Sequence, residues 1–153
     1  MTLVLADSVA TEAVGAALAS VLRPGDIVAL YGDLGVGKTT LARGLLTALG
    51  LDGEAPSPTF AIVQGYAPPE VRLPVAHVDL YRIEDPEDVA ELGLDDALAD
   101  GALLIEWPER LGNRLWPSAL RLYLAADPGG GRRLTWERSE AWEKRWPPAT
   151  FRA

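Results

Sequence analysis

Apolar residues along the chain fall into two kinds of run. "IVALY" at 27–31 is continuous and of strand length, and "ALLIEW" at 102–107, apolar up to Glu106, is of the same buried type, the pattern of strands buried on both faces. Other stretches repeat at helical spacing. In "DSVATEAVGAALASVL", residues 7–22, Val14, Leu18, Val21 and Leu22 share one face; Asp7 or Ser8 can cap, and "RPGD" at 23–26 ends the run. From about Lys38, "TTLARGLLTALG" places Leu41, Leu45, Leu46 and Leu49 on one face and stops at Gly50.

The remaining segments read mainly as strands. "TLVLA" precedes the first helix, while "TFAIVQGY" and "PVAHVDLYRI" are joined by the turn "APPEVRLP". "ALRLYLAA" and "RRLTWERS" alternate well enough to form a hairpin around "DPGGG". Residues 84–100 read as helical turns interrupted at Gly93, "PERLGNRLWP" as a short irregular segment, and "EAWEKRW" as a last helical turn. Strands and helices alternate early and strands pair late. This order predicts an α/β fold: one domain over 1–153, with a mixed, mainly parallel central sheet that gains antiparallel strands.

Composition narrows the class. At 153 residues, 48% hydrophobic and 24% charged, the chain is of one-domain size and ordinary globular make-up. It has no Cys, which excludes disulfides, thiolate metal sites and cysteine nucleophiles. "MTLVLADSVATEA" carries no basic leader and no apolar run approaches a bilayer span, so the expected location is cytoplasmic, with no membrane partner. The net charge of −8 is uneven: 1–131 carry 8 basic and 19 acidic groups, and 132–153 carry 6 and 3. Capture of DNA or RNA by the whole surface is therefore disfavoured, because that mode needs many phosphate-neutralising Lys and Arg. The run 84–100, with eight acids and no base, is either a docking surface or a solvated helical face.

The candidate chemistry lies between the first buried strand and the second helix. Gly32-Asp-Leu-Gly-Val-Gly37-Lys38-Thr39 fits G-x-x-x-x-G-K-[ST] with a strand before it and a helix after, the context in which this motif cradles phosphates. Backbone N–H groups and the helix N-terminus form the anion cradle; Lys38 reaches the β- and γ-phosphates and the Thr39 hydroxyl can ligate Mg²⁺. Twelve Arg accompany only two Lys, Lys38 and Lys144. A lysine thus stands where a compact ammonium suits and a planar guanidinium fits poorly.

A phosphate-binding loop also needs a strand-end acid for its metal. Asp79 in "VAHVDLY" and Glu106 in "ALLIEW" both qualify, and the chemistry alone leaves them tied. His77, the only histidine, alternates with Asp79 and shares its sheet face; a lone strand histidine of this kind is more often a core group than a catalyst. Ser57 and Thr59 in "PSPTF" offer hydroxyls near a γ-phosphate, or simply a rigid turn. Trp107 serves packing, covers a nucleotide or meets a partner. The only Asn is in "GNRL", so the N-K-x-D element of guanine-specific GTPases is missing. No second glycine-rich or Arg-rich lid, as a nucleotide kinase needs, is evident.

"LYGDLGVGKTTLARGLL", "SPTFAIVQGY", "HVDLYRI", "ELGLDD" and "IEWPER", in this order over roughly residues 5 to 135, resemble the TsaE family of small P-loop ATPases in bacterial tRNA threonylcarbamoyladenosine (t6A) biosynthesis. The resemblance implies a P-loop NTPase-like three-layer domain that binds ATP/ADP with Mg²⁺ and hydrolyses ATP slowly. It implies an accessory role with the TsaB–TsaD complex, which modifies adenosine 37 of tRNAs reading codons that begin with A, tRNA itself being reached indirectly. Carried over by motif, Gly35, Val36, Gly37, Lys38, Thr39 and Thr40 would hold phosphates, and Thr39 and Glu106 the metal. Asp79 would join Lys38 as a catalytic group, with Thr11 near the nucleotide base and Arg132 against the nucleotide. Residues from about 138 match no family motif, and Trp142 and Trp146 stay without a role. The competing functions are a small-molecule or nucleotide kinase on the same loop, and a nucleotide-gated switch without turnover.

Overall fold

In a computed structural model that describes residues 2–53 and 62–149, seven strands form one sheet in the order β1-β7-β6-β2-β5-β4-β3. They are β1 Thr2–Leu5, β2 Ile27–Tyr31, β3 Val63–Tyr66, β4 Val75–Asp79, β5 Ala102–Glu106, β6 Leu120–Ala126 and β7 Arg132–Glu137. The four central strands, β6, β2, β5 and β4, run parallel, and the outer pairings of β1 with β7, β6 with β7 and β3 with β4 are antiparallel. The expected hairpin around "DPGGG" is β6–β7, and its first strand also completes the parallel core. Ser57 and Thr59 lie outside the described residues.

Each face of the sheet has its own core. Helices α1 (Ser8–Val21) and α2 (Lys38–Ala48) bury Val14, Leu18, Leu41, Leu45 and Leu46 against Val28, Leu30, Leu104, Leu120, Leu122 and Leu134. On the other face the 3-10 segments Pro86–Leu92 and Pro108–Arg114 and the short α3 (Leu94–Ala97) cover Ile27, Ala29, Val78, Leu103 and Ile105 with Val89, Leu94 and Leu111. This is a three-layer α/β arrangement. The continuous apolar runs belong to the strands covered on both faces, as their pattern predicts.

Helix α1 begins at Asp7, whose side chain accepts from the Ala10 N–H at 2.9 Å. The α1–α2 contact is close because glycines meet backbone. A Cβ on Gly15 would lie 2.1 Å from the Leu41 carbonyl oxygen, and one on Gly44 would lie 2.1 Å from that of Glu12. This crossing brings the side of α1 bearing Thr11 up to the first turn of α2.

The segment after β7 belongs to the same core. Trp142 and Trp146 are each 1% exposed, and Trp146 meets Trp136 edge-on at 5.9 Å. Between them Arg145 donates to Asp26 from both terminal nitrogens, at 2.6 and 2.9 Å, and to the Val21 carbonyl at 2.8 Å. Asp26 also accepts from the Arg23 N–H at 2.7 Å. The pair ties the C-terminal segment to the α1–β2 turn. Arg145→Ala leaves the Asp26 carboxylate largely buried without its counter-charge, and urea denaturation should show a loss on the order of 3 kcal/mol.

Candidate functional site: the glycine loop and the strand-end carboxylates

Parallel pairing sets the positions of the charged groups. β2 pairs with β5 so that Leu30 lies opposite Glu106, and β5 pairs with β4 so that Glu106 lies opposite Asp79. The glycine loop therefore leaves β2 at the edge where both acids end their strands, the carboxyl edge at which open α/β sheets bind ligands. Both acids alternate with residues of the α1–α2 face, so they lie on the same side as α2.

The loop itself turns at Gly32, where φ is +146° and a Cβ would lie 2.5 Å from the Leu124 carbonyl oxygen. It ends at Gly37, the N-cap of α2, in the left-handed region at φ 111° and with no side-chain cap. The first N–H groups of α2 are thus uncapped by side chains, which suits an anion. Lys38 is 5% exposed. Its Nζ donates to the Gly32 carbonyl at 2.6 Å and lies 3.8 Å from the centre of the Trp107 ring. Burial lowers the Lys38 pKa from 10.5, and the nearby carboxylates of Glu106, Glu109, Asp79 and Asp33 oppose that shift.

Two cavities flank the loop. The larger, about 360 Å³, is lined by Lys38, Thr39, Thr40, Asp79, Glu106 and Trp107, among others. The smaller, about 250 Å³, shares Gly35, Gly37 and Thr40 with it and is lined further by Thr11, Val36 and Arg132 with the start of α1. Every candidate carried over from the sequence lines one of these two cavities. Arg132 reaches back from β7 to donate to the Val36 carbonyl at 2.9 Å and the Gly35 carbonyl at 3.3 Å, bracing the loop. Thr11 is 2% exposed, and its methyl would lie 3.5 Å from a Cβ on Gly37.

The carboxylates differ in environment. Glu106 is 4% exposed, with Oε2 at 2.7 Å from His77 Nε2. Asp79 is half-buried and accepts from the Tyr81 N–H at 2.9 Å, a turn that ends β4 where the sequence suggests a longer strand. Its pKa is raised from 3.8, chiefly by burial and also by Glu106, while the Tyr81 N–H lowers it. Two features were not legible beforehand: the His77–Glu106 contact, and Trp107, which at φ 59° is the one non-glycine residue in the left-handed region among those described. That posture holds its ring over Lys38 and 5.0 Å from Tyr81.

Among the described residues no group of three or more His, Cys, Asp or Glu side chains is arranged to hold a metal by itself. The oxygens offered, the Thr39 hydroxyl and the Glu106 carboxylate lining one cavity, fit Mg²⁺, which takes few protein ligands and completes its shell with phosphate and water. No helix among the described residues is long and apolar enough to cross a membrane.

The family model for threonylcarbamoyl adenosine biosynthesis protein TsaE matches residues 5–134. The chain belongs to the TsaE family. It is 42% identical over 109 residues to the tRNA threonylcarbamoyladenosine biosynthesis protein TsaE of Streptomyces coelicolor, a match covering 71% of this chain and 74% of that one. The protein of the same name from Rickettsia bellii is 45% identical over 94 residues, covering 61% of this chain and 64% of that protein. A crystal structure of YdiB from Bacillus subtilis superposes with a TM-score of 0.74 at 28% identity, over 89% of this chain and 83% of that one. The matched span contains the loop, both acids, Thr11 and Arg132, and ends before the Trp142–Trp146 segment.

The ammonium of Lys38 costs the fold free energy at pH values below its lowered pKa, where it is charged despite burial. That cost fades as pH rises through the lowered value towards 10.5. Lys38→Met should therefore melt at a higher temperature than the parent at pH 7 without nucleotide, with a smaller gain near pH 10. A lower melting temperature at pH 7 would show that the Gly32 and Trp107 contacts outweigh the desolvation.

Proposed function

We propose that this chain binds ATP with Mg²⁺ across the glycine loop, hydrolyses it slowly, and acts through that cycle on the TsaB–TsaD complex in t6A formation on tRNA. The observation that carries the reading is the convergence of Lys38, Thr39, Asp79 and Glu106 on one cavity at the carboxyl edge of β2, β4 and β5. The triphosphate would lie on the first turn of α2 with Lys38 on its β- and γ-phosphates. The nucleoside would extend past the loop towards Thr11 and Arg132. Bound Mg²⁺, held by Thr39 and Glu106, would neutralise charge on the phosphates.

Asp79 suits the hydrolytic role because it is not tied to another side chain by a described ion pair. A carboxylate whose pKa is raised is a stronger base towards water. Glu106 suits the metal, since its position is fixed by burial and by His77. The partner role rests on family membership; the exposed acids of 84–100, on the sheet face away from α2, offer it a docking surface.

Calorimetry with ATP tests the division of labour. Lys38→Ala should abolish binding; Glu106→Ala should weaken it only when magnesium is present; Asp79→Ala should bind normally but lose turnover by about 10²–10⁴-fold, the usual worth of a general base. Exchange of the last two phenotypes would reverse the roles. The wider function is tested by phosphate release, alone and with purified TsaB and TsaD. Stimulation by the pair is expected, whereas phosphorylation of a small acceptor would make the protein a kinase, and no hydrolysis in any mixture would make it a switch.

A further inference from the structure

His77 is 1% exposed, and its only described hydrogen bond joins Nε2 to Oε2 of Glu106 at 2.7 Å. The contact is diagonal across the β4–β5 ladder: His77 lies opposite Leu104 and Asp79 opposite Glu106, so the two β4 side chains flank the glutamate on one face. The other ring nitrogen, Nδ1, is buried and has no hydrogen-bond partner among the described residues. A buried polar atom left unmatched is destabilising, and an apolar side chain would fill this space without that cost. The imidazole therefore does something there that packing does not require, and among the described residues its one hydrogen bond grips the Glu106 carboxylate.

We propose that His77 is a positioning residue for the metal ligand: its Nε2–H holds Oε2 of Glu106, leaving Oε1 turned to the divalent cation that accompanies the nucleotide. The proposal rests on the reading of Glu106 as that ligand. A glutamate has three rotatable side-chain bonds, and an untethered one spends part of its time away from the metal. Partners of this outer kind commonly alter metal affinity 10–100-fold when removed. Here the tether comes from the neighbouring strand, so it is set by sheet register and not by a mobile loop.

The test separates metal affinity from nucleotide affinity. Mn²⁺ is titrated into the protein saturated with ADP and followed by electron paramagnetic resonance, and binding of a fluorescent ADP is measured in EDTA. His77→Ala should weaken Mn²⁺ binding by about 10–100-fold and leave metal-free ADP binding unchanged, which also certifies the fold. His77→Gln should restore most of the affinity, because its amide nitrogen reaches the place of Nε2. His77→Asn, whose amide stops near Nδ1, should not. Should the alanine variant fail to fold, the Gln and Asn pair decides alone. Parent-like Mn²⁺ affinity in His77→Ala, or equal weakness in Gln and Asn, overturns the positioning role. Glu106→Ala with undiminished Mn²⁺ affinity is a separate failure, since it removes the metal reading and this proposal with it.

Discussion

Parallel register between β2, β5 and β4 is the constraint on which the site depends. It sets Leu30, Glu106 and Asp79 at one level, so two carboxylates reach the edge where the glycine loop turns towards α2. Slippage of β5 by one residue would carry Glu106 to the opposite face and put Ile105 among the charges. The register is strongly specified because both faces of these strands are buried, one against α1 and α2 and the other against the 3-10 segments and α3. Core packing and site chemistry are thus enforced by the same ladder.

The loop is held on three sides. Gly32 is pressed against the end of β6, Arg132 ties the Gly35 and Val36 carbonyls to β7, and Thr11 on α1 abuts Gly37. The α1–α2 glycine crossing makes the last contact possible, since larger residues there would push the helices apart. A phosphate cradle works through backbone N–H groups that already point at the ligand, so a braced loop loses less entropy when it binds.

Much of this was legible in the sequence because the deciding signals are local. The glycine loop lies between a five-residue apolar strand and an amphipathic helix, and neither needs knowledge of distant neighbours. Strand-end acids could be named for the same reason, and the shared face of His77 and Asp79 followed from alternation. What alternation could not supply was the strand beside them, so the partner of His77 stayed hidden until β4 and β5 were adjacent. Arg145 and Asp26 lie 119 positions apart, beyond any periodic signal. The left-handed backbone at Trp107 had no marker either, because aromatic residues seldom adopt it and glycine is its usual sign.

Charge placement also constrains how ligands would share the site. On the proposed reading, a triphosphate arriving alone improves the surroundings of Lys38 but adds negative charge beside Asp79 and Glu106. A divalent cation arriving alone satisfies the carboxylates but repels a lysine whose charge is already disfavoured by burial. Each ligand would then remove the penalty the other meets, so their binding free energies would be coupled, and such coupling is reciprocal by linkage. Its strength would depend on short distances, because opposite charges at a partly buried site interact more strongly than in bulk water. On that reading, the same ladder that fixes Asp79 opposite Glu106 would make metal and nucleotide bind together, and hydrolysis, which divides the anion, would weaken the hold on both.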